Sequence, residues 1–73
     1  ADLADYYGSR QRLAGLRERL TERGQSVTVE ALVERTLESA FRERDRRLFE
    51  TGVDRGAFRS ELAGRVQRFI TDQ

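Results

Sequence analysis

The sequence of 73 residues has no cysteine, histidine, lysine or proline. Without thiolates and imidazoles, the chain can form no disulfide and has none of the usual zinc ligands. Histidine, cysteine and lysine are also the side chains that most often act as acid, base or nucleophile near neutral pH. The absence of proline favours uninterrupted helices. We therefore expect a protein that is not an enzyme and that holds no metal or cofactor.

Long apolar runs are missing as well, whereas a membrane-spanning helix needs roughly 20 consecutive apolar residues. The first seven residues contain Asp2 and Asp5 and no basic side chain, unlike a secretory signal peptide. These features predict a cytoplasmic protein with no membrane association. We interpret residues 1–73 as a single helical domain, either complete after loss of an initiator methionine or a fragment of a longer protein.

All 14 basic residues are arginine, and against 13 acidic residues they leave a net charge of +1. Codon usage in a GC-rich genome, as many bacteria have, is one explanation. The alternative is selection for the guanidinium group, which makes planar, bidentate contacts with carboxylates and phosphates. Both explanations stay open at this point.

Apolar residues at steps of three and four predict three helices, over residues 9–23, 28–51 and 54–72. Gly24 is expected in the left-handed position that ends the first helix, and Thr28 and Asp54 are expected to cap the starts of the other two. The apolar stripe of the first helix is formed by Leu13, Leu16 and Leu20, and the same spacing continues backwards to Tyr6 and Leu3. Because Gly8 interrupts this early part, we expect residues 1–7 to form a loose turn.

Short connections between such helices imply antiparallel neighbours. The predicted fold class is therefore all-α, a small antiparallel three-helix bundle with up-down-up order. A chain of this length buries a thin core, and a dimer is one way to complete it.

The predicted second helix is acidic in its first half and basic in its second half. Glu30, Glu34 and Glu38 follow one another at steps of four, which predicts a solvated face or a surface that pairs with arginines of another helix. Metal binding by these carboxylates is disfavoured because known helical sites add histidine. The candidates for phosphate contact are Arg42, Arg44, Arg46 and Arg47, although interleaved acidic residues could pair with them instead.

Apolar side chains at the flanks of the helices are candidates for a docking surface, because we expect a core of this size to leave some aromatic residues uncovered. The interface candidates are Val29, Leu37, Phe41, Phe49, Phe69 and Ile70. Arginine–glutamate pairs around such a surface would set the orientation of a partner.

Residues 20–33, with the sequence LTERGQSVTVEALV, resemble the helix–turn–helix half of ribbon-helix-helix regulators, in which a glycine and a hydroxyl cap join two helices. The turn here is about two residues longer than in that family, and residues 1–8 lack its strand of alternating apolar and basic residues. The resemblance implies a helical hairpin and assigns no base-reading residue.

The first functional hypothesis is a non-catalytic module for protein–protein interaction or oligomerisation, with another protein or a second copy as partner. The alternative is a small dimeric DNA-binding regulator, of the antitoxin or plasmid or phage repressor type, that contacts phosphates with arginine. Nothing in the sequence indicates a small-molecule ligand.

Overall fold

The computed structural model describes residues 3–42 and 55–72. These parts of the chain contain four helices and no strand, which confirms the predicted all-α class. The helices are α1 (Leu3–Tyr7), α2 (Arg10–Glu22), α3 (Val29–Arg42) and α4 (Arg55–Thr71). The ends of α2 and α4 and the start of α3 agree with prediction to within one residue. Positions 43–51 of the predicted second helix, and the proposed cap Asp54, lie outside the described residues.

The expectation of a loose turn at residues 1–7 was wrong, because Leu3–Tyr7 is a short helix. Ala4 and Tyr7, three positions apart on one helix face, are both completely buried, while 42% of Tyr6 is exposed. The core tyrosine is therefore Tyr7, and not Tyr6 as the stripe predicted. The continuous stripe failed because the chain leaves the helix at Gly8 and Ser9, so α1 and α2 do not share one helical phase.

The end of α2 has the predicted left-handed glycine, with Gly24 at φ 72°. The amide of Gln25 donates to the carbonyl of Leu20 at 2.9 Å, and the amide of Gly24 donates to that of Thr21 at 3.0 Å. This pair of bonds is the Schellman motif, which satisfies carbonyls that the helix end would leave free.

Hydroxyl side chains cap the starts of α2 and α3. The Oγ1 atom of Thr28 accepts from the amide of Ala31 at 3.1 Å, which confirms the predicted cap. Ser9 caps α2 in the same way, accepting from the amide of Arg12 at 3.3 Å. Each cap satisfies an amide of the first turn and fixes where the helix begins.

One hydrophobic core joins all four helices. Its buried apolar side chains are Ala4, Tyr7, Leu13, Leu16, Leu20, Leu32, Val33, Leu37, Ala40, Phe58, Leu62 and Val66. The buried polar side chain among the described residues is Thr36, whose hydroxyl donates to the carbonyl of Leu32 at 2.7 Å within α3.

Helices α2 and α3 are antiparallel, because Arg12 near the start of α2 contacts Ser39 near the end of α3. Helix α4 packs on each of the other three helices, with α3 as its largest contact. The side chain of Arg10 pairs with Asp72 at 3.2 Å, so the start of α2 lies beside the end of α4. A regular up-down-up bundle would instead bring the start of α2 to the start of α4. No helix in the described segments is long and apolar enough to cross a membrane.

Candidate anion-binding groove between α2 and α3

A shallow groove runs along the surface between α2 and α3. It consists of two adjoining clefts of about 250 and 180 Å³, which share Leu16, Arg19 and Ser39. We call it the α2–α3 groove, and its lining residues are Gln11, Arg12, Gly15, Leu16, Arg19, Arg35, Glu38, Ser39 and Arg42.

Small residues leave the space that the groove occupies. A Cβ atom placed on Gly15 would meet no atom within 4 Å beyond its own helical backbone, so this position of α2 opens directly into the groove. Ser39 supplies a short side chain from α3. Leu16, which is 7% exposed, belongs to the core beneath. A larger residue at position 15 would fill the groove without any change of charge.

Four arginines surround this groove, two from each helix. Arg12 and Arg19 are seven positions apart on α2, and Arg35 and Arg42 are seven apart on α3. Because seven residues make nearly two turns, each pair lies on one face of its helix, about 10 Å apart along the axis. Among the described residues of the lining, one carboxylate, Glu38, stands against these four cations, so the described lining has a net charge of +3.

The guanidinium group of Arg12 is held by contacts on several sides. It donates to the hydroxyl of Ser39 at 3.2 Å and to that of Tyr6 at 3.4 Å. Its central carbon lies 4.8 Å from the ring centre of Tyr6 and 5.0 Å from that of Tyr7, within the range of cation–π attraction. These contacts fix the group while leaving it charged. A fixed cation loses less conformational entropy when an anion binds.

Arg35 is also partly enclosed, with 21% of its side chain exposed. Its Nη1 atom lies 3.4 Å from a carboxylate oxygen of Glu38, one turn further along α3. Its Nε atom is buried and has no hydrogen-bond partner among the residues that the structure describes. Arg35 thus lines the groove with a guanidinium group that is partly buried and paired on one side with Glu38.

Of the predicted phosphate contacts, Arg42 lies in the α2–α3 groove and is exposed. The other three, Arg44, Arg46 and Arg47, lie outside the described residues. The structure therefore combines Arg42 with arginines of both helices.

The predicted docking residues do not form one exposed apolar surface. Leu37 is in the core, where the chain itself covers it. Val29, Phe41, Phe69 and Ile70 are half-buried, and Phe49 lies outside the described residues. The guanidinium carbon of Arg55 lies 5.0 Å from the ring centre of Phe41, and that of Arg17 lies 5.1 Å from that of Phe69. Arginine side chains of the same chain thus contact both of these rings.

The glutamate row on α3 pairs with arginines in two different ways. Glu34 forms an ion pair with Arg59 of α4, which is the predicted pairing of this row with an arginine of another helix. Glu38 pairs with Arg35 in the preceding turn of α3. Within residues 3–42 and 55–72, no three acidic side chains come together as metal ligands could.

Sequence reasoning missed Arg12, Arg19 and Arg35 as members of a common site. The available signal was the seven-residue spacing of the arginine pairs, which places each pair on one helix face. That signal is incomplete by itself, because it does not say which faces of two helices meet. The antiparallel packing of α2 on α3 makes one groove of them.

Comparison with known proteins finds no matching family model, no matching curated protein and no matching solved structure. The chemistry of the groove is therefore inferred from its own side chains.

Proposed function

We propose that this chain is a non-catalytic binding module whose α2–α3 groove contacts the phosphates of a nucleic acid. The observation that carries the proposal is the convergence of four guanidinium groups from two helices around a groove whose described lining has a single carboxylate. Guanidinium groups match the geometry of phosphate oxygens and keep their charge at any physiological pH. Their arrangement in pairs along two helices suits a ligand that carries several phosphates in a row.

The near-neutral charge of the whole chain does not oppose this function, because the charges are segregated. The described lining of the groove carries +3, whereas Glu30 and Glu34 lie together along another cleft of α3. A local field of this kind guides an anion to one face of the molecule. The proposed phosphate contact requires neither the dimer nor the regulatory role that the sequence-based alternative included.

Binding of the full chain to fluorescent DNA, single-stranded and duplex in separate titrations, tests the proposal by anisotropy. Three phosphate contacts would release counterions on binding, so affinity should fall by roughly 20- to 40-fold between about 50 and 200 mM salt. Absence of binding to both DNA forms at the lower salt concentration would refute the proposed function.

Variants locate the binding site. Arg19→Gln removes one groove cation, and we expect about five-fold weaker binding with a shallower salt dependence. Gly15→Leu fills the groove at unchanged net charge and should weaken binding as well. The matched control is Arg68→Gln, which removes the same charge from a cleft beside α1 and α4. Equal effects of Arg19→Gln and Arg68→Gln would show that only bulk charge matters.

Protein docking, the first hypothesis from the sequence, is the second candidate, with a second copy of this chain as the occupant. Charge complementarity at Glu30 favours it, since this carboxylate lies in a cleft of α3 that is opposite in sign to the α2–α3 groove. The neighbouring Glu34 is paired with Arg59 of the same chain. Half-buried Val29, Phe69 and Ile70 would add apolar contact area. Light scattering after size-exclusion chromatography should then show a dimer that dissociates as salt rises. A monomer at every salt and protein concentration would exclude this candidate.

A further inference from the structure

An exposed aromatic ring lies beside the α2–α3 groove. Tyr6 is 42% exposed and belongs to α1, outside the two helices that form the groove. It is connected to the groove through Arg12, which lines the groove and whose guanidinium group lies over the Tyr6 ring. An aromatic surface and a row of cations are therefore adjacent.

The Tyr6 ring packs against the buried ring of Tyr7. Its centre is 4.8 Å from that of Tyr7, and the two rings meet edge to face at 88°. Tyr7 is completely buried and contacts Phe58 of α4, edge to face at 6.3 Å. The Tyr6 hydroxyl accepts a hydrogen bond from Arg12. An exposed ring with this support is held in place before any ligand binds, which lowers the entropic cost of stacking.

We propose that the groove selects single-stranded over duplex nucleic acid, with an unpaired base stacked on Tyr6 while the arginines contact the adjoining phosphates. This inference rests on the proposed function. An aromatic ring next to a basic groove is the combination by which proteins hold single strands, because every base has an aromatic face. In a duplex both faces of each base are covered by neighbouring bases. A duplex could therefore use the arginines of this groove but not Tyr6.

The groove is also narrow compared with a duplex. The axes of packed helices lie roughly 8–10 Å apart, and the arginine pairs extend about 10 Å along them. A flexible single strand can turn one base towards Tyr6 and still follow this short row of cations. The preference is independent of base sequence, since neither stacking nor phosphate contact reads the edges of bases.

The test compares an oligothymidylate of about 12 nucleotides with a blunt-ended DNA duplex of about 12 base pairs at equal phosphate concentration, by anisotropy at low salt. We expect the single strand to bind about five-fold more tightly, at the lower end of the stacking contributions measured per base. Tyr6→Leu should weaken single-strand binding more than duplex binding and so remove this preference; the smaller loss on the duplex is expected because Tyr6 also holds Arg12. An equal loss on both forms would show that Tyr6 acts only through Arg12. Tyr6→Phe, which keeps the ring and loses the hydroxyl, should retain it. Thermal unfolding of each variant checks that α1 is still docked.

The outcomes separate this inference from the proposed function. Equal binding of the two DNA forms, or single-strand binding that Tyr6→Leu does not weaken, would overturn the role of Tyr6. If Arg19→Gln still weakened both forms in that experiment, the phosphate-binding function would stand without it. Failure of the unmodified chain to bind either form would overturn both.

Discussion

Replacement of Gly8 by alanine tests how α1 is held against the rest of the molecule. A Cβ atom at this position would lie 2.7 Å from the carbonyl oxygen of Ala4 and 2.9 Å from Cδ of Arg65. It would also lie 3.2 Å from a methyl carbon of Leu62, which is buried in α4. Carbon atoms in contact prefer roughly 3.5–4.0 Å. The arginine side chain can move, but the Ala4 carbonyl belongs to the backbone of α1, so α1 itself must shift.

The shift would loosen the packing of Tyr7, which contributes a fully buried aromatic side chain to the core. It would also disturb the ion pair in which Arg65 donates to the carboxylate of Asp5. Overpacking of a close contact costs about 1–3 kcal/mol. For a domain of this size, a loss of about 2 kcal/mol lowers Tm by roughly 8–16 °C.

Thermal unfolding followed by far-ultraviolet circular dichroism measures the effect, with Gly64→Ala as the matched control. Gly64 lies within α4, and a Cβ atom there meets nothing within 4 Å beyond the helix's own backbone. Alanine should therefore stabilise at position 64, by about 0.5–1 kcal/mol, through its better helix propensity. If Gly8→Ala raised Tm as Gly64→Ala does, the close contact at α1 would be disproved. Weaker DNA binding by Gly8→Ala is expected too, because α1 supplies the tyrosines that hold Arg12.

Two further substitutions test local features of the helices. Thr36→Val keeps the shape of a buried side chain and removes a hydroxyl that bonds within α3. The free energy of unfolding, measured by chemical denaturation, should therefore rise or fall by less than about 1 kcal/mol. A drop of several kcal/mol would mean that the hydroxyl is essential. Gly24→Ala puts a side chain at φ 72° and should lower the free energy of unfolding by about 1–2 kcal/mol. Gly24→Asn should lower it less, because asparagine tolerates the left-handed conformation better. An alanine variant with an unchanged denaturation midpoint would contradict the left-handed cap.

Predictions from the sequence succeeded where the cause is local. A hydroxyl before an apolar run and a glycine after one act on backbone groups within four or five positions, so Thr28 and Gly24 could be assigned from the sequence. The error at residues 1–7 has a different origin. The sequence shows that Gly8 interrupts a stripe, but the burial of Tyr7 depends on its contact with Phe58, about 50 positions away along the chain.

The same difference between local causes and contacts of distant residues applies to the candidate site. Its cations can be counted in the sequence, and Arg42 was singled out, but as part of a cluster within one predicted helix. The other members come from α2 and from an earlier turn of α3, and they approach one another only because the two helices pack antiparallel. Likewise, the contacts of Arg17 with the Phe69 ring and of Arg55 with the Phe41 ring depend on the packing of the helices and are not visible in the sequence.

The sequence by itself determined that the described chain is helical, where α2 and α4 begin and end, where α3 begins, and that every basic side chain is arginine. Those properties follow from composition, from apolar spacing and from capping residues, which act over a few positions. Only the tertiary structure decided which tyrosine enters the core, which arginines share a groove, and that Tyr6 lies beside them. These depend on which helix faces meet, and that choice minimises the exposed apolar area of the whole chain rather than of any one segment.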